Sequence, residues 1–177
     1  MIEMNYIFSD ENNKFQFNFS QAIWAINDLK GIYNKKIQSV LSDVDFIAET
    51  DNEIIFMEYK NSLIKNANNP KAFDEKLTSD DHYIKIAKKY YGSILYTMAC
   101  KKEKEYKYVY VLESAFAGST DRKRLRNKII NKLPFELQKD SKVKHKLIND
   151  FEVLSIDEWN KDPLYSRFPI SLIGPST

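Results

Sequence analysis

Residues 43–62 read DVDFIAETDNEIIFMEYKNS, and this stretch decides the fold that the rest of the chain must accommodate. Two apolar runs, at 46–48 and 54–57, lie on either side of a short polar connection, Thr50-Asp51-Asn52. Asp and Asn between two β-rich runs are typical of a tight turn. The stretch therefore predicts a β-hairpin near the centre of the fold.

Polar side chains lie at the margins of both predicted strands. Asp45 precedes the first apolar run, and Glu58, Tyr59 and Lys60 close the second. Because side chains alternate across a strand, Glu58 and Lys60 share one face. Pairing of Asp45 near Glu58 would bring two carboxylates and an ammonium together, which suits a hard divalent cation with a lysine beside it. Asp43 competes with Asp45 on the same side of a regular strand, and we favour Asp45 because it adjoins the apolar run.

Composition excludes several other classes of protein. The chain has 177 residues, 43% hydrophobic and 29% charged, which indicates one globular domain. No apolar run reaches the ~18 residues of a membrane span, and the first residues do not resemble a secretory signal. The single cysteine, Cys100, and the widely separated His82 and His145 argue against a disulfide and a zinc site. We therefore expect a cytoplasmic protein.

Helical and strand periodicity predicts the remaining elements. They are a helix at 20–33, a strand at 37–41, a loop at 66–70 with Pro70 opening a short helix, a helix from about 81 to 99 capped by Ser79 or Asp80, a strand at 106–113, a basic helix at 121–133 and a strand at 151–156. The order is helix, three strands, helix, strand, helix, strand. It predicts an α/β fold with a mixed sheet and helices on its faces.

Asp45, followed after twelve residues by Glu58-Tyr59-Lys60 on a strand, resembles the signature of the PD-(D/E)XK nuclease superfamily. The order of elements over about 20–113 also resembles the αβββαβ core of that restriction-endonuclease-like fold. The chain is then a single domain, 1–177, with a C-terminal extension at about 114–177. An acid-x-lysine string also occurs at Asp28–Lys30 and elsewhere, so the motif depends on the strand before Glu58 and on Asp45 opposite.

The resemblance implies hydrolysis of phosphodiester bonds with Mg²⁺ or Mn²⁺. Asp45, Glu58 and the main-chain carbonyl of Tyr59 would be the metal ligands, and Lys60 the catalytic lysine. The substrate would be DNA rather than RNA, cleaved as an endo- or exodeoxyribonuclease. The superfamily often adds a glutamate from its first helix; no glutamate occurs there, and Asp28 or Gln21 is left open as a substitute.

Basic side chains outside the motif could contact nucleic acid. The net charge is only +2, so positive charge must be local. Two helices supply such residues: Lys85, Lys88 and Lys89 on one, and Arg122, Lys123 and Arg126 on the other.

A second hypothesis is a catalytically inactive module that keeps the fold and binds nucleic acid or a protein partner. The missing helix glutamate and the near-neutral charge favour it. Nucleases of this type often act as dimers or in larger assemblies, so a homodimer is also among our expectations.

Overall fold

A mixed five-stranded sheet forms the centre of the fold in the computed structural model, which describes residues 6–37, 40–63 and 70–174. Eight strands are described: β1 Ile7–Ser9, β2 Phe15–Asn18, β3 Trp24–Ile26, β4 Phe46–Glu49, β5 Glu53–Asn61, β6 Glu105–Glu113, β7 Asp150–Leu154 and β8 Ile170–Leu172. The main sheet has the order β3-β4-β5-β6-β7. β4 is antiparallel to both neighbours, and β5, β6 and β7 are parallel. The prediction of a mixed sheet in an α/β fold is confirmed.

The helices are α1 Leu29–Ile37, α2 Pro70–Lys76, α3 Asp80–Ala99, α4 Ser119–Ile130 and α5 Ile156–Lys161. Helices α1, α3 and α4 pack on one face of this sheet, and a small second sheet together with α5 covers the other. One core contains buried residues of α1, α3 and α4, such as Leu29, Tyr90 and Ile129. The antiparallel sheet β1-β2-β8 and α5 pack on the opposite face, with Phe17 and Trp159 in a second core.

The predicted central hairpin is present as β4 and β5. Phe46 pairs with Met57 and Ala48 with Ile55, so the two apolar runs oppose each other. The Thr50 main-chain N–H donates to the Glu53 carbonyl at 2.9 Å and closes the turn. Because cores cover both faces of β5, its central residues are buried on both sides, which explains the unbroken apolar run.

The helix predicted at 20–33 is wrong. Trp24–Ile26 form β3, and α1 begins only at Leu29. Trp24 pairs with Glu49 of β4, and the Ile23 N–H donates to the Glu49 carbonyl at 2.8 Å. The open edge of β4 thus captures a segment whose spacing is also compatible with a helix, because pairing with a neighbouring strand overrides weak local propensity.

The strand predicted at 37–41 is also wrong where it can be judged. Ile37 ends α1 and residues 40 and 41 are not in a strand, while 38 and 39 lie outside the described residues. In place of three strands after the first helix, one strand of the main sheet, β3, precedes α1, and two, β4 and β5, follow it before the next helix. The predicted loop at 66–70 lies outside the described residues, except that Pro70 begins α2.

The long helix after the hairpin is confirmed as α3. The Ser79 side chain caps it by accepting the His82 N–H at 3.2 Å, and Asp80 and Asp81 occupy the first turn, where acids are favourable. Beyond β6, the chain supplies α4 and β7 to the main core and sheet. In the part of the chain that the structure describes, no helix is long and apolar enough to cross a membrane.

Candidate active site

The register of the hairpin brings Asp45 opposite Glu58. Asp45 directly precedes β4, one residue before the Phe46–Met57 pair. Its Oδ2 accepts the Tyr59 main-chain N–H at 2.8 Å, so the carboxylate is held against the outer part of β5. The Glu58 side chain is 0% exposed, whereas that of Lys60, on the same strand face, is 36% exposed, with its Nζ 3.5 Å from Glu58 Oε1. The structure thus brings Asp45, Glu58 and Lys60 together.

Lys89 enters the same site from α3. Its Nζ donates to both Glu58 oxygens, at 2.8 Å to Oε1 and 2.7 Å to Oε2. The Nζ also lies 3.8 Å from Asp45 Oδ1. The sequence placed Lys89 with the nucleic-acid-binding lysines, but its side chain is only 15% exposed and lies on the carboxylate pair instead of the outer surface of the helix.

Burial and charge shift the ionisation of this group of side chains. Burial raises the pKa of Glu58 to about 7, and the neighbouring charge of Asp45 adds to the rise, while Lys89 and Lys60 oppose it. Burial alone would lower the pKa of Lys60, but the carboxylates of Glu58 and Asp45 outweigh it and raise that pKa above its ordinary value. Lys60 is therefore a cation at physiological pH.

Asp45, Lys60 and Lys89 line a cleft of about 650 Å³, and the fully buried Glu58 lies behind them. Its walls also include the turn after β1 and the start of α1. This volume lies in the range of small-molecule and substrate sites. The lining is rich in charged and amide side chains, which suits a polar substrate.

Four further acids line the cleft: Asp10, Glu11, Asp28 and Asp43. Asp28 precedes α1, where its Oδ1 accepts the Gly31 N–H at 2.9 Å, so it is close to a helix start rather than within one. Burial is the main cause that raises the pKa of Asp43. Among the described residues, no group of three or more His, Cys, Asp or Glu side chains is close enough to hold a metal ion.

The other basic residues divide into exposed and engaged side chains. Lys85, Lys88 and Lys123 are exposed. The Arg122 Nε donates to Glu158 at 3.0 Å, and the Arg126 Nε donates to the Phe151 carbonyl at 2.6 Å. Both arginines thus hold the C-terminal part of the chain together, in contrast to the open phosphate contacts predicted for them.

His82, in the first turn of α3, is not a fully exposed side chain. The ring is half-buried, with its Nε2 3.4 Å from the Tyr110 hydroxyl. Burial lowers the pKa of His82 to about 4, and the positive charges of Lys85 and Lys60 add to the effect. The spacing 82, 85, 89 places these residues on one helix face and is the signal that could have connected them with the site.

Comparison of the chain with protein-family models, with curated proteins and with solved structures gave no match. The function must therefore be inferred from the geometry of the site.

Proposed function

We propose that this protein is a metal-dependent nuclease that hydrolyses phosphodiester bonds in nucleic acid, with DNA preferred over RNA. One observation carries the proposal: Asp45 opposes the fully buried Glu58, Lys60 lies on the same strand face as Glu58, and Asp45 and Lys60 line a polar cleft. A buried carboxylate is costly unless a cation compensates it. The resemblance to the PD-(D/E)XK superfamily implies the same three residues. The order α1, β4, β5, α2, α3, β6 supports it in part, because β3 precedes α1 instead of following it.

The donors at this position fit a magnesium or manganese ion. Asp45 and Glu58 supply carboxylate oxygens. The Tyr59 N–H points at Asp45, and the N–H and C=O of one strand residue point to the same side, so the Tyr59 carbonyl also faces Asp45. Mg²⁺ is usually bound through one or two carboxylates and keeps several waters. When bound, the ion would polarise the phosphate and lower the pKa of a coordinated water.

The chain's own residues would orient the substrate and stabilise charge. The Tyr59 N–H holds the Asp45 carboxylate in one orientation. Lys60 reaches the cleft as a partly exposed cation, so it would stabilise negative charge on the phosphate or orient the attacking water. The raised pKa of Lys60 supports a role through its positive charge.

Exposed lysines on α3 and α4 could position the phosphate backbone. Lys85 lies on the same face of α3 as Lys89, one turn nearer the start of the helix, and Lys88 and Lys123 are also exposed. Contacts of this kind add affinity without sequence information. Arg122 and Arg126 are less suited to this role because they bind Glu158 and the Phe151 carbonyl.

A cleavage assay tests the proposal. Single- and double-stranded DNA and RNA are incubated with the protein and Mg²⁺, Mn²⁺ or EDTA. We expect cleavage with either metal, none with EDTA, and loss of cleavage in Lys60→Ala. Lys161→Ala is the matched control, because Lys161 is 73% exposed on α5, across the sheet from the site. A folded wild-type protein that cleaves none of these substrates with either metal would refute the nuclease.

A binding module without catalysis is the second candidate, and one observation favours it. Lys89 and Lys60 already compensate the charge of Glu58 without a metal. In that case the wild type binds nucleic acid without cleaving it. Asp45→Ala and Lys60→Ala would then retain the binding.

A further inference from the structure

We propose that the Lys89 ammonium is a built-in competitor of the metal ion, which must leave Glu58 before a divalent cation can bind between Asp45 and Glu58. The inference rests on the proposed metal site. Lys89, which lies outside the sequence motif, would thereby regulate metal binding at the site.

The contacts of Lys89 place a positive charge where the metal would lie. The Nζ is 2.7 and 2.8 Å from the two Glu58 oxygens and 3.8 Å from Asp45 Oδ1. A Mg²⁺ ion binds oxygen at about 2.0–2.1 Å. An ion held by Asp45 and Glu58 would therefore compete with Lys89 for the same oxygens and repel its ammonium. The two cations exclude each other.

Lys60 does not play this part. Its Nζ lies 3.5 Å from a single Glu58 oxygen, and its side chain is more exposed than that of Lys89. It can remain in the cleft when a metal binds. Lys88, next to Lys89 in the sequence, is exposed and has the same charge, so it provides a matched control.

The displaced ammonium has a place to go. Lys89 lines the cleft, and its long side chain can turn from Glu58 towards a phosphate there. A substrate phosphate would then draw Lys89 away from Glu58 and favour metal binding. By linkage, the metal would favour phosphate binding by the same factor. The metal alone should therefore bind more weakly than the two carboxylates would otherwise allow.

Mn²⁺ titration monitored by electron paramagnetic resonance tests the competition directly. Without nucleic acid, and at a pH high enough for Glu58 to be ionised in both proteins, we expect Lys89→Met to bind Mn²⁺ about tenfold more tightly than the wild type, a factor usual for coupled sites. Lys88→Met should bind Mn²⁺ as tightly as the wild type does under the same conditions. An oligonucleotide with uncleavable phosphorothioate linkages should tighten Mn²⁺ binding more in the wild type than in Lys89→Met. Equal or weaker Mn²⁺ binding by Lys89→Met overturns the proposal, as does the absence of Mn²⁺ binding in both proteins.

A second measurement needs no variant. Acetylation of lysines by a reactive ester, read by mass spectrometry, reports how accessible each amine is. Addition of Mg²⁺ to the wild type should raise the labelling of Lys89 towards that of Lys88, while Lys85 and Lys88 stay unchanged. Labelling of Lys89 that does not respond to saturating Mg²⁺ overturns the competition.

The cleavage assay separates this inference from the proposed function. Metal-dependent cleavage by the wild type without tighter Mn²⁺ binding by Lys89→Met refutes the competition and leaves the nuclease standing. Tighter Mn²⁺ binding by Lys89→Met in a protein that cleaves no substrate supports the competition and refutes the nuclease.

Discussion

Ser93 Oγ accepts the main-chain N–H of Val44 at 2.9 Å, and both residues are buried. This bond ties α3 to the segment that leads into Asp45. The Tyr33 hydroxyl donates to the Gly92 carbonyl next to it, so α1 is fastened at the same point. The same helix supplies Lys89. Helix α3 therefore positions both the segment that leads into Asp45 and the lysine that contacts the two carboxylates.

Ser93→Ala should destabilise the protein by about 1–3 kcal/mol, because the buried Val44 N–H loses its partner. Urea unfolding followed by circular dichroism measures the change. Ser171→Ala, on an exposed position of β8, should change the free energy of unfolding by less than about 0.5 kcal/mol. Equal effects of the two substitutions would contradict the structural role of Ser93.

Gly92→Ala should also destabilise the protein, although alanine is the better helix former. A Cβ at Gly92 would overlap the main-chain oxygen of Ser42 and push α3 away from the segment before Asp45. Overpacking of this kind costs about 1–3 kcal/mol, more than the ~1 kcal/mol gained in helix propensity. Thermal unfolding should show a lower midpoint than for Gly174→Ala, where a Cβ meets nothing within 4 Å. An unchanged midpoint would mean that the two segments are not in close contact.

Asp45→Asn and Asp43→Asn should separate the two acids before β4. An asparagine at 45 can still accept the Tyr59 N–H, so the fold is kept while the charge is lost. Loss of a residue that only supports a metal ligand lowers activity by up to about 100-fold. Because Asp45 would itself be a ligand, we expect Asp45→Asn to lower the cleavage rate by more than that. Asp43→Asn should retain most of the activity. Equal losses in the two variants would reject the choice of Asp45.

Arg126→Ala should lower the stability of the protein, whereas Lys85→Ala should change its nucleic-acid binding. Arg126 donates to the Phe151 carbonyl and pairs with Asp150, so its loss should cost about 1–2 kcal/mol of stability. Lys85 is exposed, and its loss should reduce the salt dependence of nucleic-acid binding by about one ion without affecting stability. Fluorescence anisotropy at several salt concentrations measures this slope. A lower slope for Arg126→Ala with an unchanged slope for Lys85→Ala would contradict these two roles.

His82 should make the protein lose stability in mild acid. Its pKa in the folded protein is about 4, below the ordinary 6.5, so between these values the unfolded chain binds more protons. Stability therefore falls as the pH is lowered from about 6.5 to 4, by about 1–2 kcal/mol for this partly exposed group. His82→Gln should reduce this dependence, and His145→Gln, at an exposed position, should not. Urea unfolding across this pH range would show identical slopes for all three proteins if His82 were not responsible.

The stretches whose structure was predicted correctly are those whose conformation depends on residues adjacent to them in the sequence. Turn residues between apolar runs sufficed for the β4–β5 hairpin, and Ser79 with the apolar stripe that follows sufficed for α3. The helix predicted at 20–33 failed because a short segment with mixed periodicity took its structure from the edge of β4. Asp28, left open as a substitute for the first-helix glutamate, lines the cleft from a position just before α1 and not from within a helix.

The sequence by itself determined that Asp45 would meet Glu58 and Lys60, because alternation along a strand and a short turn are local properties. Only the tertiary structure decided which cation compensates the buried Glu58. Helical spacing shows that His82, Lys85 and Lys89 share a face of α3 but not which strand that face meets. Packing of α3 on the sheet brings Lys89 to Glu58, and the competition between this ammonium and a metal ion follows from that contact.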